Sequence, residues 1–222
     1  MAMDQPLPVD DVTRVRREPH RQVTDRAALH AILDEALMAH VAVVRDGLPL
    51  VLPFAVARDG DTLLLHGSSG AGGLRLGAGG PVCVSVTHVD GLVFARTTFE
   101  SSMRYRSAVV HGIAEVVPDD DKEHALEVLS DHLFAGRTAE VRRPSRKELA
   151  ATLVLRLPLD SASVKVAAGP LEVDPEDVEP REVWAGIVPM ALTAGEPVAG
   201  PDVPDDVAVP GSVVRTRQRF SG

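Results

Sequence analysis

Apolar residues change their spacing along this chain, and each change predicts a change of backbone. Ala28, Leu29, Ile32, Leu33, Ala36 and Leu37 recur every three or four positions. That stripe predicts a helix over Asp25–Met38, with Thr24 as its N-cap. The period then falls towards two. His40–Arg45 reads as a strand, Asp46-Gly47 as a hairpin turn, and Leu48–Arg58 as a second strand whose Pro49 and Pro53 mark an edge or a bulge. Asp59-Gly60 closes the next hairpin into a buried strand over Thr62–His66. Pro81–His88, an Asp90-Gly91 turn, Leu92–Thr98 and a long strand from Arg104 to Val117 complete the series. Three Asp-Gly turns in so short a stretch describe an antiparallel meander, and closure into a barrel would remove its exposed edges.

Helical spacing returns in Asp119–Phe134, where Ala125, Leu126, Leu129 and Leu133 make the buried stripe and Asp119–Asp121 complement the positive N-terminal end. A basic linker, Arg137–Lys147, leads through a short helix (Arg146–Ala151) to strands Leu153–Leu157 and Ser161–Ala167. Strand character resumes over Glu182–Met190. These elements predict an N-terminal arm (1–20), one mainly β domain with flanking helices (21–194), and a C-terminal tail (195–222) that wraps the domain or stays disordered.

Composition narrows the partners. The formal net charge of the 222-residue chain is −9, and five Phe, one Tyr and one Trp leave few stacking surfaces, so nucleic acid is a poor partner. The single cysteine, Cys83, sits in an apolar strand pattern and cannot form an internal disulfide, which suits a reducing cytoplasm. The first twenty residues lack the apolar stretch of a secretory signal, and no apolar run approaches the ~18 residues a membrane span needs. The expectation is a cytoplasmic protein with no membrane partner.

Candidate chemistry gathers at Leu63-Leu-Leu-His-Gly-Ser-Ser-Gly-Ala-Gly-Gly-Leu-Arg-Leu, a buried strand entering a Gly/Ser-rich turn and a short helix around Gly73–Ala78. Backbone N–H groups at such a turn can hold a phosphate, although Gly and Ser also punctuate ordinary loops. His66 ends that strand and either faces a ligand or fills space. Arg104-Tyr105-Arg106-Ser107 opens the longest strand with two cations on one face, a solvated strand end or a basic rim. Lys165 lies within an apolar strand, and Trp184 either fills the core or stacks on a planar ring. The eight histidines have no ligand-like spacing, so no metal site is expected.

The succession His40-Val-Ala-Val-Val, Pro53-Phe54, Leu64-Leu-His-Gly-Ser68, Pro81-Val-Cys-Val-Ser-Val-Thr87 and Tyr105-Arg-Ser-Ala-Val-Val-His-Gly112 resembles the pyridoxamine 5′-phosphate oxidase-related flavin-nucleotide-binding family, which includes nitroimidazole-resistance reductases. Leu155-Arg-Leu-Pro-Leu-Asp160, Ser163-Val-Lys165 and Trp184-Ala-Gly-Ile-Val-Pro189 extend the likeness across roughly residues 14–210. The resemblance implies a six-stranded Greek-key split β-barrel, a homodimer, and FMN (or a deazaflavin or haem) in grooves between subunits. It implies cofactor contacts from Pro53, Phe54, Leu65, His66, Gly67, Ser68, Ser69, Gly72, Gly73, Arg75, Arg106, Ser107, Lys165 and Trp184, with His66 the candidate catalytic acid. The activity implied is an FMN-dependent oxidoreductase passing electrons from a reduced nicotinamide to a small nitroaromatic- or quinone-like acceptor. The alternative is a non-catalytic binder of flavin, deazaflavin or haem. Two departures favour that alternative: Gly72-Gly73 stands where relatives carry cations, and Ala167 where they often carry Arg. Each missing charge-assisted phosphate contact is worth ~1.5–3 kcal/mol.

Overall fold

The structure is a computed structural model and describes residues 5–70, 72–170 and 182–221. Among the described residues ten strands, short ones included, form one antiparallel sheet system with flanking helices, the split barrel expected from the sequence. β1 (Gln22–Val23), α1 (Arg26–Glu35), β2 (Met38–Arg45), β3 (Leu48–Asp59), β4 (Thr62–Ser68), α2 (Gly72–Gly77) and β5 (Pro81–Phe94) come first. They are followed by β6 (Ser102–Ile113), β7 (Glu115–Val116), α3 (Asp119–Phe134), α4 (Arg146–Ala151), β8 (Thr152–Pro158), β9 (Ser161–Ala167), β10 (Gly186–Pro189) and α5 (Gly211–Arg219).

Strand order is β1-β9-β6-β5-β2-β3-β4-β8-β7, with β10 added to β5. β3 makes the fold possible. Its first eight residues pair with β2 and its last four with β4, so one long strand carries the chain from one sheet into the other. At the far side β6 runs through Ala114 into β7, which pairs with β8. The two sheets therefore enclose a core that includes Leu29, Leu33, Val56, Leu63, Leu65, Val84, Leu155 and Leu157, all at most 1% exposed. A second, smaller cluster (Ala57, Leu64, Val117, Ala125, Leu129, Val154) packs α3 on the outside of β3, β4 and β8.

Three expectations change. The first helix is capped by Asp25 rather than Thr24, since the Asp25 carboxylate accepts the Ala27 N–H at 2.9 Å, and it ends at Glu35. Asp90-Gly91 is not a hairpin. β5 continues through it with a register shift between Val89 and Gly91. Gly91 pairs with Pro189, and a Cβ there would lie 3.0 Å from the Val188 carbonyl oxygen, so glycine is what admits β10. The Glu182–Met190 strand shortens to β10, leaving Trp184 outside it.

The described segments before β1 and after β10 both pack on the domain. Leu7 joins the main core, and Arg26, only 8% exposed, donates to the Gln5 carbonyl and to Asp61. In the tail, α5 lies against α3. The Ser212 N–H and hydroxyl donate to Glu140 (2.8 and 2.5 Å), and Arg215 Nε donates to the Ala135 carbonyl at 2.8 Å. No helix among the described residues is long and apolar enough to cross a membrane.

Candidate functional site

Strand alternation decides what His66 meets. On β4, Leu63 and Leu65 point into the barrel core, whereas Leu64 belongs to the cluster under α3. His66, two residues after Leu64, therefore faces the α3 side. There it lines a cavity of about 910 Å³ walled by α3 (Leu126, Glu127, Ser130, Phe134), the basic linker (Arg137, Arg142, Arg143) and Thr152 at the start of β8. The sequence placed the linker nowhere near His66. Pairing of β4 with β8 brings them together, because Ser68 lies opposite Thr152 and the Ser69 N–H donates to the Ala151 carbonyl at 2.8 Å.

The Nδ1 atom of His66 is buried and has no hydrogen-bond partner among the described residues. Burial holds its pKa below the ordinary 6.5, so the ring is neutral at physiological pH and keeps a lone pair. The imidazole is thus a desolvated, unpartnered group among the residues that line the cavity. The cavity also offers three guanidiniums, each paired with a carboxylate. Arg142 grips Glu148 through two bonds of 2.8 and 2.7 Å, Arg143 reaches Glu123 at 3.4 Å, and Arg137 reaches Glu140 at 3.3 Å.

Three other histidines make structural contacts. His88 Nε2 donates to the Ile32 carbonyl at 2.9 Å and His132 Nε2 to the Ala36 carbonyl at 2.6 Å, so two imidazoles satisfy the C-terminal carbonyls of α1. His30 shares Asp61 with Arg26. No cluster of three or more His, Cys, Asp or Glu capable of holding a metal ion occurs among the described residues.

The remaining residues carried over from the resemblance are dispersed. Gly67 turns to the core side, with Phe54 and Leu74 packed against the place of its missing Cβ (3.7 and 3.4 Å). Leu65 is fully buried, so only its backbone could face a ligand. Pro53, Ser68, Gly72 and Arg75 are exposed, while Ser69 and Gly73 are half-buried. Ser68 Oγ accepts the Gly70 N–H at 3.2 Å, a local turn contact. A Cβ on Gly73 would lie 2.2 Å from Leu52 Cδ1, whereas Gly72 borders open space.

Arg106 and Ser107 part company. Arg106, opposite His88 and Val166, faces the α1 side and is held by Asp90 (3.0 and 2.9 Å) and Glu35 (2.9 Å). Those hydrogen bonds, Asp90's first, raise its pKa further, so it is a permanently charged structural cation. Ser107 lies opposite Lys165 on the outer face, with Thr87, Ser85 and Cys83 in the neighbouring strand. Burial pushes the Cys83 thiol up, which makes it an inert packing group. Trp184, 66% exposed, tilts against Phe94 with ring centroids 6.1 Å apart.

The comparisons fit this geometry. The sequence profile of the pyridoxamine 5′-phosphate oxidase family matches residues 25–166, and the chain belongs to that family. Among solved structures it is 45% identical to the FAD and haem binding protein of Mycobacterium smegmatis, over 89% of this chain and 97% of that one, with a TM-score of 0.86. It is 32% identical to the flavocytochrome Anf3 of Azotobacter vinelandii, over 95% and 98% of the two chains, with a TM-score of 0.88. A 5-nitroimidazole antibiotic resistance protein of Bacteroides thetaiotaomicron aligns at 25% identity over 65% of this chain and 86% of that one, TM-score 0.56. No curated protein sequence matched.

Proposed function

We propose that this protein is a flavin- and haem-binding oxidoreductase whose haem seat is the His66 cavity. The observation that carries the reading is the buried, unpartnered ring nitrogen of His66 at the wall of a cavity of about 910 Å³. A neutral imidazole is the form that can ligate iron, and burial selects it. Leu126, Phe134 and Val141 would flank an apolar macrocycle, and Arg142 and Arg143 could turn from their glutamates to its carboxylates. The relative at 45% identity is an FAD and haem binding protein and the one at 32% is a flavocytochrome, which supports the same choice.

The flavin is FAD rather than FMN in this reading. The relative at 45% identity is described as FAD binding, and the turn where a single phosphate would anchor presents Gly72 and Gly73 without cations. When bound, the flavin supplies hydride acceptance from a reduced nicotinamide and the haem supplies one-electron exchange with a small acceptor. His66 holds its group in place, and the α3 wall excludes water from it. The outer face of β2 and β3, with Val44 and Val51 exposed at 63% and 56%, is the proposed homodimer surface. Cys83 as the only cysteine suits a cytoplasmic site of action.

The alternative, an FMN-dependent reductase of nitroaromatic or quinone-like acceptors, draws support from the Bacteroides neighbour. One titration separates them. Hemin added to the full-length protein should give a sharp Soret band that His66→Ala loses, with His66→Ala still folded by circular dichroism. Equal hemin spectra for both proteins would rule out the His66 seat. No hemin binding, together with FMN-dependent NADH oxidation, would favour the reductase.

A further inference from the structure

We propose that a second cleft, separate from the His66 cavity, seats the diphosphate of a nucleotide. It encloses about 480 Å³ between the N-terminal arm (Arg17, Glu18, Arg21), the segment before β6 (Phe99), Arg104 at the start of β6, and Lys165 on β9. Four cations meet two carboxylates there, in a chain whose net charge is −9. One carboxylate is already engaged, since Glu18 lies 3.8 Å from Arg21 and 3.6 Å from His20.

The two inner cations spend their hydrogen bonds on groups without charge. Arg104 donates to the backbone carbonyls of Ala168, at 3.3 Å, and Pro170. Lys165 donates to the Arg17 carbonyl at 3.0 Å. Carbonyl partners orient these cations without neutralising them, and Arg104 Nε is buried with no partner among the described residues. Fixed cations of this kind answer an anion with several oxygens and more than one charge, which a diphosphate supplies. Phe99 stands 91% exposed on the cleft lining, an unpartnered ring face on which a base can stack. Bare phosphate would leave that ring unused. A nucleoside diphosphate uses both.

The source of the nucleotide rests on the reading above: either the ADP half of FAD or a nicotinamide dinucleotide donor. The chemistry of the cleft does not depend on it. The test is calorimetric titration of the full-length protein with ADP, before and after loading with FAD. Wild type should bind ADP with an affinity that falls as salt rises. An Arg104→Gln, Lys165→Gln double variant should bind at least about tenfold more weakly, as the loss of charge-assisted contacts requires. Phe99→Ala alters an exposed side chain, so it should fold normally and still weaken ADP binding. A far-ultraviolet circular dichroism spectrum and a melting temperature unchanged from wild type show each variant to be folded. Absence of ADP binding by wild type, or an affinity equal to wild type in both Phe99→Ala and the double variant, overturns the proposal. Loss of the ADP site on FAD loading assigns the cleft to the flavin; an ADP site that survives loading and is competed by NADH assigns it to the donor. ADP binding without hemin binding sinks the His66 reading and leaves this one intact.

Discussion

Two neighbouring glycines show how differently one residue type can be used. Gly73 is fixed by Leu52, whose Cδ1 would lie 2.2 Å from a Cβ, while nothing lies within 4 Å at Gly72. Gly73→Ala should therefore destabilise by ~1–2 kcal/mol through displacement of Leu52. Gly72→Ala should be neutral or gain up to ~1 kcal/mol from helix propensity. Urea denaturation of the pair checks this, and equal midpoints would refute the packing account. At Arg106, replacement by Gln leaves Asp90 and Glu35 facing each other without their cation. We expect a loss of ~1–2 kcal/mol, discounted for partial exposure and smaller at high salt.

At the scale of elements, the sequence was legible where local chemistry decides and opaque where a distant partner does. Asp46-Gly47 and Asp90-Gly91 are the same dipeptide. The first has φ of 53° and 79°, a mirror-image turn, and joins β2 to β3. The second lies inside β5 because β6 pairs with residues on both sides of it and β10 pairs from Gly91 onward, information absent from the local string. Helices α3 and α4 were readable from their stripe and end residues, and α4 carries the Ser145–Glu148 capping box. The tail helix α5 was not, because it has only Val213 and Val214 as apolar residues and depends on Glu140 and Ala135 for its seat. His66 was recognised as a candidate, but its cavity was not, since the α3 and linker walls reach it only through tertiary packing. Ser212→Ala tests that seat. It should cost ~1–2 kcal/mol by removing the hydroxyl that Glu140 accepts, measurable as an earlier loss of helical signal on heating.

For the whole molecule, acid is the informative stress. Burial depresses the pKa of both His66 and His132 below 6.5. The unfolded chain then binds more protons than the folded one as pH falls through 6.5, so stability present above that value declines below it. Melting temperature should drop between pH 7.5 and 5.5. His132→Gln, whose amide can still donate to the Ala36 carbonyl, should flatten that slope, and an unchanged slope would show that His132 does not contribute.

β5 is paired on more sides than any local opening can easily undo. It holds β6 along most of its length and β2 over Cys83–Ser85, and it takes β10 past the bulge. To free its amides, ladders to three strands must break, and β2 in turn holds β3. Solvent deuterium should therefore enter the Val82–Val86 amides last, at the rate set by opening of the entire barrel. The amides of α5 should exchange far sooner. The C-terminal helix can then leave and return many times within the lifetime of one folded barrel, and the His66 cavity, which has no α5 residue in its lining, keeps its walls while it does so.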